Sequence, residues 1–213
     1  MEPLAESWRY VLENPERFRD AVAIHVRLCV TALALAIALF VPIGVLVSRS
    51  GQLGATLVGA VAAVRVVPSL AALFLLYSVM GTGFEPALVA LTLLAGPPLV
   101  INTDAGLRNV DAAVLENARG LGMNPFQVFA RVQAPIALPV VVAGIRSATV
   151  EIIASAALAA FIGVRGLGIF ITSGLTLNDY AILLVGAIPV TLMALLAETA
   201  LGLAERSVTP PAA

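Results

Sequence analysis

The sequence contains no lysine, one cysteine and one histidine, and each absence excludes a kind of chemistry. All 12 of its basic residues are arginines. The chain therefore has neither the lysine of a Walker A nucleotide site nor a lysine for a Schiff base. Cys29 alone cannot form an internal disulfide, and His25 alone leaves no cluster with metal-ligand spacing. We expect no metal, no cofactor and no catalytic residue on this chain, so any energy source belongs to another molecule.

Charge is scarce as well. Only 12% of the 213 residues are charged, and 60% are apolar. A soluble domain carries about 25% charged residues because its surface faces water, so we expect most of this surface to face lipid. The net charge of −1 gives no broad basic face, which excludes nucleic acid as an expected partner. The acidic start of the chain is unlike the basic start of a signal peptide.

Long apolar runs occupy most of the chain, and a spanning helix needs roughly 20 such residues. We predict an all-α integral membrane protein with about five transmembrane helices, over residues 28–47, 53–80, 87–101, 138–162 and 181–203. Arg65 and Pro68 interrupt the second run. We interpret it as one long helix kinked at Pro68, because each half is too short to span alone. Six spans, with a division at this point, are the alternative.

The segment before the first span is different in kind. Residues 6–27 mix aromatic and charged side chains, which is typical of a helix lying at the membrane surface. A loosely ordered leader is the alternative. We therefore divide the chain into an N-terminal interfacial segment (1–27), a single transmembrane domain (28–207) and a C-terminal tail (208–213).

A polar loop, at about residues 109–137, carries the clearest local signals. Asp111 is suited to cap a short helix, and Gly122 to take the left-handed position after its end. Asn124 can cap a second helix that begins with Pro125. We expect two later prolines to end this helix and to start the next span (Pro135, Pro139).

Four apolar side chains give the second helix of this loop an apolar side: Phe126, Val128, Phe129 and Val132. An exposed apolar side on a polar loop usually docks on another molecule. Folding back onto the chain's own helices is the alternative, and local chemistry leaves both open.

The same loop resembles the EAA motif of bacterial ABC-importer permeases. Glu116, Ala118, Gly122 and Pro135 match at the family's spacing, while three positions depart from it (Asn117, Val132, Ala134). The resemblance implies a type I ABC importer (MetI-like) permease fold with cytoplasmic coupling helices. It also implies that coupling to the ATPase involves Glu116, Ala118, Gly122, Asn124, Phe126, Phe129 and Pro135.

Five further segments are similar to the glycine betaine/carnitine/choline permease subfamily, beginning at Arg65, Asn102, Gly144, Phe161 and Gly186. Val164 and Arg165 depart from the subfamily's usual Gly-Ala-Gly-Gly-Leu-Gly. The resemblance implies the membrane subunit of an osmoprotectant importer in the bacterial cytoplasmic (inner) membrane, working by alternating access. The N-terminus would lie outside and the C-terminus in the cytoplasm.

The partners implied are ABC ATPase subunits that bind ATP and Mg, a second permease copy or a paralogue, and an extracytoplasmic substrate-binding protein. The chain itself would be a transport subunit and not an enzyme.

Ionisable residues inside predicted spans are costly and normally face a partner or a water-filled path. We expect Arg65 and Glu151 to pair or to line the translocation path, with Phe74 and Tyr77 as aromatic candidates there. Two charges nearer helix ends are expected to reach the membrane interface (Arg146, Glu198). Four glycines are expected to allow close helix contact (Gly54, Gly59, Gly144, Gly186).

Three alternatives remain. The first is a permease of the same fold for another small amine or amino acid. The second is an ATPase-independent channel or secondary transporter, although the sequence shows neither an internal repeat nor convergent carboxylates. The third is an intramembrane enzyme, for which a nucleophile and base are missing.

Overall fold

The computed structural model describes residues 2–209, and these residues form helices without any strand. The helices are α1 (Glu2–Glu13), α2 (Pro15–Ser48), α3 (Gly51–Val64), α4 (Ser69–Met80), α5 (Phe84–Leu94), α6 (Gly96–Arg108), α7 (Ala112–Gly120), α8 (Pro125–Val128), α9 (Ala134–Leu158), α10 (Gly168–Leu177) and α11 (Tyr180–Val208). A π-helical turn (Phe129–Gln133) joins α8 to α9, and a 3-10 turn (Ala159–Ile162) follows α9. The expected tail, residues 208–213, lies largely outside the described residues.

Four helical segments in the described part of the chain are long and apolar enough to cross a membrane: Pro15–Ser48, Phe84–Arg108, Pro125–Ile162 and Tyr180–Val208. A fifth span results if α3 and α4 count as one broken span. The prediction of an all-α membrane protein with about five spans is therefore confirmed.

The N-terminal segment is an integral part of this bundle. α1 packs against α11, and α2 begins at Pro15 and runs without interruption to Ser48. The ring of Phe18 lies 6.4 Å from that of the fully buried Phe170. The expected boundary at residue 27 falls inside α2, and Ala21 already belongs to the apolar core. A loosely ordered leader does not describe these residues.

The second span is broken and not merely kinked. α3 and α4 meet at 88° across residues 65–68. The N–H groups of residues 65–67 each bond the carbonyl three residues back, and Pro68, which has no N–H, adopts an extended ψ of 135°. The prediction of one kinked helix is therefore wrong, because a tightened last turn and the proline together end α3. α3 and α4 have only 14 and 12 residues, so two separate spans are not formed either.

The third span is longer than predicted. It covers α5 and α6, Phe84–Arg108, whereas residues 87–101 were expected. Its last turns contain polar residues that are covered by neighbouring helices: Thr103 is 1% exposed, and a Cβ on Gly44 would lie 2.6 Å from its Cβ. Polar side chains that lie between helices lower the mean hydropathy of this segment, although it is long enough to cross the membrane.

Three of the four singled-out glycines do lie at close helix contacts. A Cβ on Gly144 would lie 2.7 Å from Cβ of Asn102, and a Cβ on Gly186 would lie 2.5 Å from the carbonyl oxygen of Leu167. Gly54 is packed against Arg108 and Val47. Gly59 differs, because no atom of the described residues lies within 4 Å of the position that its Cβ would take.

Candidate functional site

The polar loop forms a compact element, residues 111–133, which we call the projecting element. Asp111 caps α7 by accepting a hydrogen bond from the N–H of Ala113 at 2.8 Å. After α7, Gly122 has a φ of +82°, which L side chains rarely adopt. The N–H of Met123 bonds the carbonyl of Ala118 at 3.3 Å and closes the helix end. The predicted cap and the predicted left-handed glycine are both confirmed.

α8 begins with a capping box. The N–H of Gln127 donates to Oδ1 of Asn124, and the N–H of Asn124 donates to Oε1 of Gln127, both at 2.9 Å. Pro125 occupies the first turn, where its missing N–H costs little. The predicted role of Asn124 as a helix cap is confirmed.

The prolines that follow do not end this helix. From Pro125 to Ile162 the chain is helical without a break, through the π turn and into α9. Pro135 lies in the first turn of α9 and Pro139 lies inside that helix. The expectation that they separate α8 from the next span is wrong. The π turn widens the helix immediately before Pro135, which gives the proline ring room against the preceding turn.

The apolar side of the projecting element is divided between two directions. Val128 is only 4% exposed, and Phe129 is half-buried. Phe126 is 76% exposed and Leu121 is 81% exposed. The element thus folds back on the bundle through one set of side chains and presents another set outward.

The other positions that the resemblance assigns to ATPase coupling differ in exposure too. Glu116, Gly122, Asn124 and Pro135 are exposed, whereas Ala118 is buried. α7 packs mainly on α8 and on the π turn. The outer face of the element is therefore open for a partner.

A set of contacts that we call the base junction attaches the projecting element to the ends of two spans. The guanidinium of Arg49, just after α2, lies 4.7 Å from the centre of the Phe129 ring. Gln133 donates through Nε2 to the carbonyl oxygen of Leu107 at 3.1 Å. Arg108, at the end of α6, donates through Nη2 to the carbonyl oxygen of Val47 at 2.9 Å.

Arg108 is held in place by a second contact. Its Nε donates to Oδ1 of Asp104 at 2.6 Å, and the Asp104 side chain is only 11% exposed. Asp104 and Arg108 lie one helical turn apart, which is the spacing that favours ion pairs on a helix. This spacing could have identified the pair from sequence.

Arg65 and Glu151, the two charged candidates within the predicted spans, do not form an ion pair of the kind that joins Asp104 to Arg108. Among the described residues there are three ion pairs, and none joins Arg65 to Glu151. Arg65 is exposed beside the break between α3 and α4, and Glu151 is half-buried on α9. Phe74 and Tyr77 do meet edge to face, at 6.5 Å between ring centres, and both are partly exposed on α4.

The chain matches the model of the family described as "binding-protein-dependent transport system inner membrane component" over residues 30–210. It belongs to this family. The chain is thus a permease component of a transport system, and the channel and intramembrane-enzyme alternatives lose their support.

Relatives of the permease are similar over most of their length. The carnitine transport permease protein OpuCB of Listeria monocytogenes is 42% identical over 188 residues, which cover 88% of this chain and 86% of the relative. The glycine betaine/carnitine/choline transport system permease protein OpuCB of Bacillus subtilis is 37% identical over 186 residues, with 87% and 86% covered. The osmoprotectant import permease protein OsmW of Salmonella typhimurium is 34% identical over 206 residues, with 94% and 96% covered.

Solved structures share the fold of the permease. A chain of the MetNI methionine ABC transporter, in an inward-facing conformation, matches with a TM-score of 0.79. The match covers 91% of this chain and 97% of that chain at 22% identity, so it establishes the fold alone. The predicted type I ABC importer (MetI-like) permease fold is confirmed.

Sequence reasoning missed the residues that attach the projecting element to the permease. Arg49 and Gln133 carry no local signal, because their partners lie on other segments of the chain. Arg146 was expected to reach the membrane interface, but it pairs with Glu198 at 3.5 Å and with Glu205 at 3.1 Å. No local pattern in the sequence indicates Glu205.

Proposed function

We propose that this permease is the membrane subunit of an ATP-driven importer of osmoprotectants, small quaternary amines such as glycine betaine, choline and carnitine. ATP and Mg are bound by separate ABC ATPase subunits, and an extracytoplasmic binding protein delivers the substrate. The N-terminus lies outside and the C-terminus in the cytoplasm. Transport proceeds by alternating access.

The observation that carries this proposal is the open outer face of the projecting element. Phe126 and Leu121 are 76% and 81% exposed on an element whose backbone is fixed by a helix cap, a capping box and a left-handed glycine. A rigid, polar element that exposes large apolar side chains is suited to docking on another protein. We infer that this protein is the ATPase, because the element follows the third span and carries most of the EAA-like residues.

A second permease, either another copy or a paralogue, is supported by the break between α3 and α4. Residues 65–68 are all exposed, and Val66 is 82% exposed. Lipid cannot satisfy the free backbone groups and the charge of a broken helix. The break must therefore be covered by another membrane chain or must face a water-filled path. We place Arg65, Glu151, Phe74 and Tyr77 along that path.

The cargo is proposed from the relatives, whose names specify carnitine, choline, glycine betaine or osmoprotectants. The cargo test is uptake into proteoliposomes that contain the complete importer, with labelled glycine betaine, choline, carnitine and methionine. We expect ATP-dependent uptake of at least one quaternary amine. Uptake of methionine without any quaternary amine would overturn the assignment and favour an amino-acid permease of the same fold.

The coupling test is co-purification of the partner ATPase in detergent with wild-type permease and with Phe126→Asp. Because Phe126 is largely exposed, its replacement leaves the fold intact, and we expect the ATPase to be lost. Leu177→Asp is the matched control, since Leu177 is 66% exposed on α10, far from the projecting element in the sequence. Equal recovery of the ATPase with wild type and Phe126→Asp would contradict the proposed docking face.

A further inference from the structure

We propose that Arg49 is a positioning residue for coupling, which links the projecting element to the first span through the ring of Phe129. This inference rests on the proposed function, because it assumes that an ATPase moves the projecting element. It assigns a role to a residue outside that element and outside the EAA-like positions.

The first observation is the geometry of the Arg49 side chain. Arg49 follows the last residue of α2, and its N–H bonds the carbonyl of Leu46 at 3.2 Å, so its backbone moves with that helix. Its guanidinium takes part in none of the ion pairs among the described residues and lies instead 4.7 Å from the centre of the Phe129 ring. A cation at this distance from an aromatic face is attracted by it.

The second observation is the place of Phe129 in the chain. Phe129 and Gln133 are the first and last residues of the π turn, and each is tied to a different span. Phe129 meets Arg49 after α2, and Gln133 bonds Leu107 in the last turn of α6. π turns often mark functional positions in helices, and this one is held at both ends.

The third observation is that these contacts connect three elements to one another in a closed set. Arg108 bonds the carbonyl of Val47, which joins the end of α6 to the end of α2. The π turn, α6 and α2 therefore each contact the other two. Since α8 continues through the π turn into α9, a movement of a docked α8 shifts Phe129 and carries Arg49, and with it α2, along.

This closed set of contacts also explains why the charge of Arg49 matters for coupling and not for docking. Arg49 lies behind the projecting element, on Phe129, whereas the docking face is formed by Phe126 and Leu121 on the exposed side. Removing the charge should leave ATPase binding unchanged and weaken the link between ATP hydrolysis and the movement of α2.

The experiment measures substrate transported per ATP hydrolysed by the complete importer in proteoliposomes. We compare wild type with Arg49→Gln, Phe129→Leu and the conservative Arg49→Lys. We expect unchanged ATPase co-purification, and a transport-to-hydrolysis ratio lowered about two- to five-fold in Arg49→Gln and Phe129→Leu. Arg49→Lys should keep most of the transport-to-hydrolysis ratio. The double variant, Arg49→Gln with Phe129→Leu, should have a ratio no lower than that of either single variant.

Arg27→Gln is the matched control, because Arg27 also lies on α2 and its guanidinium is 5.4 Å from the ring of Phe84, outside the base junction. We expect its ratio to equal that of wild type. An unchanged ratio in Arg49→Gln, additive losses in the double variant, or loss of ATPase binding in Arg49→Gln would each overturn the positioning role. If wild type itself fails to bind the ATPase, the proposed function fails instead.

Discussion

Arg146 on α9 is paired with Glu205 near the end of α11, with 3.1 Å between Nη1 of the arginine and Oε2 of the glutamate. Glu198, which also lies on α11, places its Oε1 3.5 Å from Nε of Arg146. Gly202 leaves room between the two acids, since a Cβ there would lie 3.2 Å from Nη1. One arginine therefore connects the fourth span to two carboxylates of the fifth.

The first prediction concerns this connection. Arg146→Ala leaves the partly exposed carboxylates of Glu198 and Glu205 without a counter-charge, and we expect a loss of about 1–2 kcal/mol of stability. The measurement is the midpoint of thermal unfolding in detergent, which should fall by roughly 2–8 °C. Arg146→Lys should fall less, because it keeps the charge. Arg119→Ala is the control, since Arg119 is exposed on α7 and forms no ion pair with a described residue. Equal midpoints for the two alanine variants would show that the connection contributes nothing.

The second prediction separates backbone strain from coupling by means of two glycines. Gly122 and Gly81 have φ values of +82° and +81°, and at both positions a Cβ would meet no atom within 4 Å in the described part of the chain. Valine should therefore be strained at both positions, by about 1–2 kcal/mol or more. The cost at Gly81 should be at least as large as at Gly122, because its ψ of −160° lies in a region almost restricted to glycine. Only Gly122→Val should also lose the co-purifying ATPase, since Gly122 sets the angle between α7 and α8. If Gly81→Val loses the ATPase equally, general destabilisation and not the projecting element explains the loss.

The third prediction uses two glycines inside helices of the bundle, with effects of opposite sign. Gly144→Ala places a methyl group 2.7 Å from Cβ of Asn102 and 3.0 Å from the carbonyl oxygen of Pro98. Such overpacking should cost about 1–3 kcal/mol. Gly59→Ala meets no atom of residues 2–209 within 4 Å and should stabilise α3 by up to about 1 kcal/mol, because alanine loses less backbone entropy on folding. The measurement is the midpoint of thermal unfolding, which should fall below that of wild type in Gly144→Ala and rise above it in Gly59→Ala. A lower midpoint for Gly59→Ala would mean that α3 is tightly packed in the detergent-solubilised protein, as it would be against a second permease.

The features that sequence predicts well here are those decided within a few residues. Asp111 and Asn124 cap helices because an oxygen on a short side chain reaches an N–H two or three residues ahead. Gly122 is left-handed because it directly follows a helix end. The apolar runs predict the spans, because lipid is the only common surroundings that such a surface tolerates.

The features that sequence does not predict depend on contacts between distant segments. The third span continues past its apolar run. Its polar residues Thr103 and Asn102 lie in close contact with Gly44 and Gly144 on neighbouring helices, and a hydropathy profile takes no account of such contacts. The partners of Arg49, Gln133 and Arg146 lie on other helices, so no local pattern indicates them. The 88° break is larger than a proline alone explains, since the tightened last turn of α3 also contributes.

The fourth prediction tests the proposed orientation. Cys29 is buried and is the only cysteine, so Cys29→Ala provides a background without thiols at little structural cost. In this background, Leu121→Cys and Arg165→Cys each place a thiol at an exposed position, one on the projecting element and one before α10. Treating intact cells with a membrane-impermeant maleimide should label position 165, whereas position 121 should react only after the cells are opened. The reverse pattern would place the projecting element outside, where no ATPase could reach it, and would remove the physical basis of the coupling proposal.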